Sequence, residues 1–258
     1  MAHITNRTST HAQHSNLDVA RGEIPGQTFI EKFGRNTVVA SGAQEVIWDQ
    51  GDAVYTYMAS ASTLYVSSSD NTDDETFEVT GLDENWNDKT VEVTCSGFTF
   101  VALTGSWTRV FRAKNISATT PAGDIYISDD NTDAGGDGIP DTATNIKAKV
   151  LQGNNQTNMA IYTVPKGYTG YLISWYASML RATGTTATAC DIDIFRRDFG
   201  SVFRSTHPGG IQNTGNGHLH YIFPFALSLP EQSDVEVRGQ PTANADISAG
   251  FTIHLIKN

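Results

Sequence analysis

Short apolar runs alternate with polar residues along this chain, broken by Gly, Asn, Asp and Pro at near-regular spacing from about residue 27 to the last few residues. That pattern predicts an all-β protein of the sandwich or barrel type. No long segment carries the 3.6-residue period of an amphipathic helix. The predicted strands are 45–48, 54–57, 63–67, 76–80, 90–94, 98–103, 107–114, 124–128 and 146–151, followed by 159–164, 171–176, 189–196, 202–205, 218–225, 235–238 and 249–256. In 76–80 and 90–94, Glu and Thr take alternate positions, which predicts a hairpin with one face in solvent. Cys190, Ile192 and Ile194 alternate with Asp191, Asp193 and Phe195, which marks the inward face of that strand. The stretch 154–179 holds two runs rich in Ile, Val, Tyr and Trp around Pro165, Lys166, Gly167 and Tyr168. Pro presets φ and Gly tolerates positive φ, so these residues predict a turn and, with the flanking runs, a β-hairpin.

Residues 1–26 have no periodic apolar pattern, and their Thr, His, Asn and Ser content cannot bury enough surface to offset the entropy of ordering. They predict an extended N-terminal arm, with the globular part beginning near Phe29 to Gly34. The expected architecture is a β-sandwich or jelly-roll-like fold in two sandwich domains, 27–152 and 153–258, divided near Gln152. One large sandwich is the alternative.

Composition narrows the partners. Charged residues make up only 17% of the 258, so the polar surface is built mainly from Thr, Ser, Asn and Gly. A formal net charge of −11 opposes a sequence-independent grip on nucleic acid, which needs Lys and Arg to displace phosphate counterions. The basic residues are scattered, so membrane-surface binding also loses support. No apolar run reaches the ~18 residues of a membrane span, and residues 1–20 lack the apolar core of a signal peptide. Folding in a cytoplasm is the expectation. Cys95 and Cys190 are the only cysteines, and two buried reduced thiols are the favoured reading over one bridge.

Few motifs suggest chemistry. The loop 129–141 is rich in Asp, Asn and Gly, as calcium loops are. With Asp133 as first ligand, Asp137, Gly138 and Asp141 fall on pattern, but Gly135 and Thr144 stand where further ligands belong, and a solvated loop is favoured. His218 and His220 share one strand face; a third metal ligand would have to come from His207 or His254, and His3, His11 and His14 lie in the arm. Asp191 and Asp193 could imitate a glycosidase pair, and Trp86, Trp107, Trp175 and Tyr176 could form a sugar platform, although packing is the commoner use of such side chains. No nucleophile elbow, zinc-protease motif or phosphate loop occurs. No enzyme activity, cofactor or metal is expected.

Three groups of residues carry a resemblance. They are Gly153 to Tyr171 (GNNQTNMAIYTVPKGYTGY), Phe33-Gly34-Arg35-Asn36 with Ile47-Trp48-Asp49, and Val79 to Asp83 with Leu229-Pro230-Glu231 and the strand from Asp234 to Val237. Together they make the chain resemble a family of virion structural proteins of tailed bacteriophages. The resemblance implies a non-enzymatic β-sandwich component of the particle, assembled in the host cytoplasm. Among virion roles it implies a capsid decoration or cement protein, homotrimeric, bound to the major capsid protein and reaching neighbours with its arm. A fibre, collar or tail-associated protein is the first alternative, and a carbohydrate-binding sandwich module the second.

Overall fold

The computed structural model describes residues 16–51, 55–181, 187–212 and 217–258. Its strands are β1 (Gln27–Val39), β2 (Glu45–Val46), β3 (Tyr65–Ser68), β4 (Thr76–Asp83), β5 (Asp88–Thr94), β6 (Val101–Ala102), β7 (Trp107–Asn115) and β8 (Ile125–Ser128). After a short 3-10 turn they continue as β9 (Ile146–Val150), β10 (Ile161–Thr163), β11 (Tyr168–Arg181), β12 (Ala189–Arg197), β13 (Arg204–Gln212), β14 (Gly217–Leu229), β15 (Asp234–Pro241) and β16 (Ala245–Lys257). The protein is all-β, as its alternation predicts.

The sheets fall into two sandwiches. One pairs the sheet β1-β16-β11-β14 with the sheet β10-β15-β12-β13, to which β2 adds on β15. Setting β2 aside, these eight strands in chain order are β1 and β10 through β16. Their order is first-eighth-third-sixth in one antiparallel sheet and second-seventh-fourth-fifth in the other. That is the order of an eight-stranded jelly roll. The other sandwich faces β6-β3-β8-β9 against β5-β4-β7 and is inserted between the first and second jelly-roll strands.

Pairing corrects three expectations. Residues 159–164 and 171–176 do not form a hairpin: β10 bonds β15, whereas β11 bonds β14 and β16. The turn does form, with Tyr168 N–H donating to the Pro165 carbonyl and Gly167 at φ 79°, but it carries the chain from one sheet to the other. Residues 27–39, grouped by chain order with the first block, pair along β16 from Gln27 to Val39. Residues 55–57 are outside any strand, and Val54 lies outside the described residues. The hairpin of β4 and β5 forms with Phe77 and Val79 buried and its Glu and Thr side chains toward solvent. Of the arm, residues 1–15 lie outside the described residues; 16–20 are helical, and Val19 is buried.

Two hydrophobic cores result, and strand alternation divides residues between them. Val46 and Trp48 enter the core of the inserted sandwich while Ile47 enters that of the jelly roll; Met159 and Ile161 part from Ala160 and Tyr162 in the same way. Period-two side-chain direction thus makes 46–48 and 159–162 a wall shared by both cores. The inward positions through the middle of β1 are Lys32, Gly34 and Asn36, with Val39 buried at its end, which hid that strand from hydrophobic periodicity. Gly34 is required by the wall: a Cβ there would lie 2.2 Å from the Ile47 carbonyl oxygen and 2.4 Å from the Ala160 nitrogen. Gly34→Ala should therefore lower stability by about 3 kcal/mol in urea unfolding; an unchanged midpoint would show that β1 is free to back away from the wall.

Candidate functional site

The strand Asp234-Val235-Glu236-Val237-Arg238 alternates charge with valine. Both valines enter the jelly-roll core, and burial of Asp234 and Glu236 is equally complete on the opposite face. That face is covered by the inserted sandwich, so the charges must be matched within the seam.

Asp234 is held by two arginines. Arg109 of β7 approaches it as a fork, Nε to Oδ1 at 2.9 Å and Nη2 to Oδ2 at 3.2 Å. Arg197 at the end of β12 donates Nε to Oδ2 at 2.9 Å and adds Nη2 to the same oxygen. Thr163 Oγ1 donates to Oδ1. Arg109 also donates Nη1 to the carbonyls of Met58 (3.2 Å) and Thr108 (2.7 Å), so residues of both sandwiches share one network. Beside it, Arg238 pairs with Glu236, whose other oxygen accepts the Tyr57 hydroxyl at 2.7 Å. Aromatic rings sandwich the guanidiniums: Arg109 lies over Tyr57 and Trp86, Arg197 over Tyr57 and Phe203, and Arg238 over Phe195 and Phe203. Burial pushes the Glu236 carboxyl up although Arg238 and Tyr57 pull it down, and burial with Glu236 next to it raises the Tyr57 phenol far above its ordinary range.

A cleft of about 210 Å³ opens onto this network, lined by Met58, Ala59, Trp86, Arg109, Arg197 and Phe199 among others. Two further buried ionisable groups, Lys32 and Asp49, lie apart from this network. Lys32 donates Nζ to the Phe111 carbonyl, and burial, with Arg112 nearby, pushes its amine down to about 7. Asp49 accepts the Asn158 backbone N–H at 2.7 Å, yet burial raises it to about 7.

The residues singled out in the sequence are scattered. Asp133 accepts N–H groups of Gly136 and Gly138 at 2.7 and 2.8 Å, and Asp141 accepts that of Ala134, so these carboxylates brace their own loop. Asp137 accepts the Ile139 N–H. Among the described residues no group of three His, Cys, Asp or Glu is placed to hold a metal. His218 and His220 share the exposed face of β14, His207 packs on Trp175, Tyr221 and Phe223, and His254 on Phe29. His3, His11 and His14 lie outside the described residues. Asp193 accepts from Ser205 and the Gly209 N–H, and Asp191 is exposed on the same strand. Trp107 and Trp175 are core residues, Tyr176 lies against Gly250, and Trp86 alone of the four reaches the cleft. Cys95 and Cys190 are free, buried in different cores, and burial raises their thiols to about 11 and about 12. Arg109, Asp234 and Glu236 escaped sequence reasoning because alternating charge on a strand reads as a solvent face; total burial comes from the inserted unit.

No known family matches the sequence, and no curated protein matches it. Among solved structures, that of infectious bursal disease virus, Gt strain, is similar at 11% identity over 91% of this chain and 74% of that chain, with a TM-score of 0.24. The VP2 subviral particle of the same virus is similar at 11% identity, 91% and 73% coverage, and a TM-score of 0.22. Likeness at this level carries no argument about what the chain does.

Two outcomes follow from the geometry. Asp234→Asn should cost about 3–5 kcal/mol in denaturant unfolding, because it strands two guanidiniums in the seam; a loss under about 1 kcal/mol would mean that water already solvates the pair. Lys32 has a folded value below its unfolded one, so its contribution to stability is complete above the unfolded value of 10.5 and lost as pH falls toward 7. Wild-type stability should therefore gain about 1.4 kcal/mol per pH unit from this group between pH ~7 and ~10. Lys32→Met should remove that slope, and parallel wild-type and variant profiles would contradict it.

Proposed function

We propose that this chain is a non-enzymatic virion structural protein of a tailed phage, and specifically a capsid decoration or cement protein on the outside of the head. The observation that carries the reading is the jelly-roll strand order, an architecture used by viral capsid and lectin domains. Since one fold hosts many functions, the surface must add to it. On β14 the register with β11 breaks, so that Phe223 to Ala226 stand opposite Ile173 alone. The bulge leaves Phe225 90% exposed beside Ile222 at 63%. Bulges re-aim side chains, and an aromatic held out in this way suits contact with a partner. Within the seam, Asp234 and Glu236 are spent on pairing, which supports a structural role.

In this reading the molecule comprises an arm (1–26), the inserted sandwich, and a jelly roll that takes β1 from the N-terminal side of the insert. It self-associates as a homotrimer and binds the major capsid protein, with the arm adding extended contacts and a symmetric shell multiplying weak ones. The net charge of −11 speaks against a nucleic-acid partner. No helix among the described residues is long and apolar enough to cross a membrane. A fibre, collar or tail-associated role would share these features and differ in copy number per particle.

Phe225→Asp should leave the unfolding midpoint within about 0.5 kcal/mol of wild type while abolishing binding to capsids that lack the protein, measured by co-sedimentation. Removal of residues 1–26 should weaken the same binding in a protein that still folds. Full capsid binding by both variants would remove the bulge and the arm from the mechanism.

A further inference from the structure

We propose that the cleft at the seam binds a small carboxylate-bearing ligand with the size and chemistry of an acidic sugar. The first ground is charge. Arg109 and Arg197 share the single carboxylate of Asp234, and Arg238 is matched by Glu236, so the buried network carries one uncompensated positive charge. Around it, Asp198 is shared by Arg196 and Arg204. The charged residues that line the cleft itself are two arginines, Arg109 and Arg197, and one carboxylate, Asp234, in a chain whose net charge is −11. A cleft of one sign in a low-dielectric wall concentrates ions of the other sign.

The second ground is donor geometry. Arg109 commits four of its five N–H donors to Asp234 and two carbonyls. Arg197 commits Nε and Nη2 to Asp234, while its Nη1 makes no hydrogen bond among the described residues and its side chain remains 27% exposed at the cleft. A guanidinium edge of this kind recognises a carboxylate. Asp234 holds it rigid, so little ordering remains for the ligand to impose.

Size and lining complete the chemistry. The volume of about 210 Å³ is more than a bare carboxylate or phosphate fills and leaves room for a sugar ring. Trp86 and Phe199 meet edge-to-face at 5.5 Å and give an apolar wall for the C–H face of a ring, while the Ser201 hydroxyl lines the cleft for its polar edge. Trp86 holds this place from a tight turn at φ 67°, a left-handed conformation that a bulky residue rarely takes.

The inference is independent of the position of the protein on a particle. It is tested with the full chain by calorimetric titration of glucuronate at low salt, with glucose and inorganic phosphate as controls. We expect saturable one-to-one binding of glucuronate with Kd on the order of 1 mM, at least about tenfold weaker binding of glucose and phosphate, and a loss of about tenfold or more in Arg197→Gln. Ala59→Trp, which fills the exposed mouth without touching the charges, should also abolish binding at an unchanged melting temperature. No glucuronate binding, equal binding of glucose or phosphate, or full retention in Ala59→Trp would overturn the proposal.

Discussion

Asp234 sits between a guanidinium from the inserted sandwich and one from its own jelly roll, and all three charges are largely withdrawn from water. Removing charge from water is costly, so such a set persists only where the charges are paired and their buried faces hydrogen-bonded. That constraint reaches far. It requires β7 to present Arg109 opposite β15, the end of β12 to present Arg197, and Thr163 of β10 to complete the carboxylate. The aromatic rings of Tyr57, Trp86 and Phe203 then fill the space around the cations. The apolar wall of Ile47 and Ala160 gives area at this junction, while the ionic network gives register, because a fork-to-carboxylate contact tolerates little sliding.

Topology explains why the junction must be strong. The inserted sandwich leaves the jelly roll after β1 and returns at β10, so both of its chain ends are anchored within the shared wall. Gly34 lets β1 approach that wall closely. A weakly held insert would swing about two connections; the seam converts them into a rigid joint. Under the proposed capsid role that rigidity matters, since a surface that bears the Phe225 bulge would serve a shell only if its position is fixed relative to the rest of the molecule.

Much of the strand content was legible because β-structure with one buried face declares itself by period two. Residues 76–80, 189–196 and 249–256 alternate in this way and lie within β4, β12 and β16. Pairing was not legible, because periodicity reports which face is buried and says nothing of the neighbour; the turn at Pro165 and Gly167 is local chemistry, whereas its use as a bridge between sheets is decided by β15 and β16, far away in sequence. β1 stayed hidden because the inward residues of its middle are Lys32, Gly34 and Asn36. The seam was hidden for the opposite reason, since Asp234, Glu236 and Arg238 imitate an exposed strand face. In both cases the deciding surface is the second sandwich, which no local window contains.

The central claim is that the seam makes two cores one cooperative body. Differential scanning calorimetry of the intact chain tests it most directly. The account predicts a single transition whose calorimetric and van't Hoff enthalpies agree. Two separated transitions, or a calorimetric enthalpy well above the van't Hoff value, would show that the sandwiches melt independently and would contradict it.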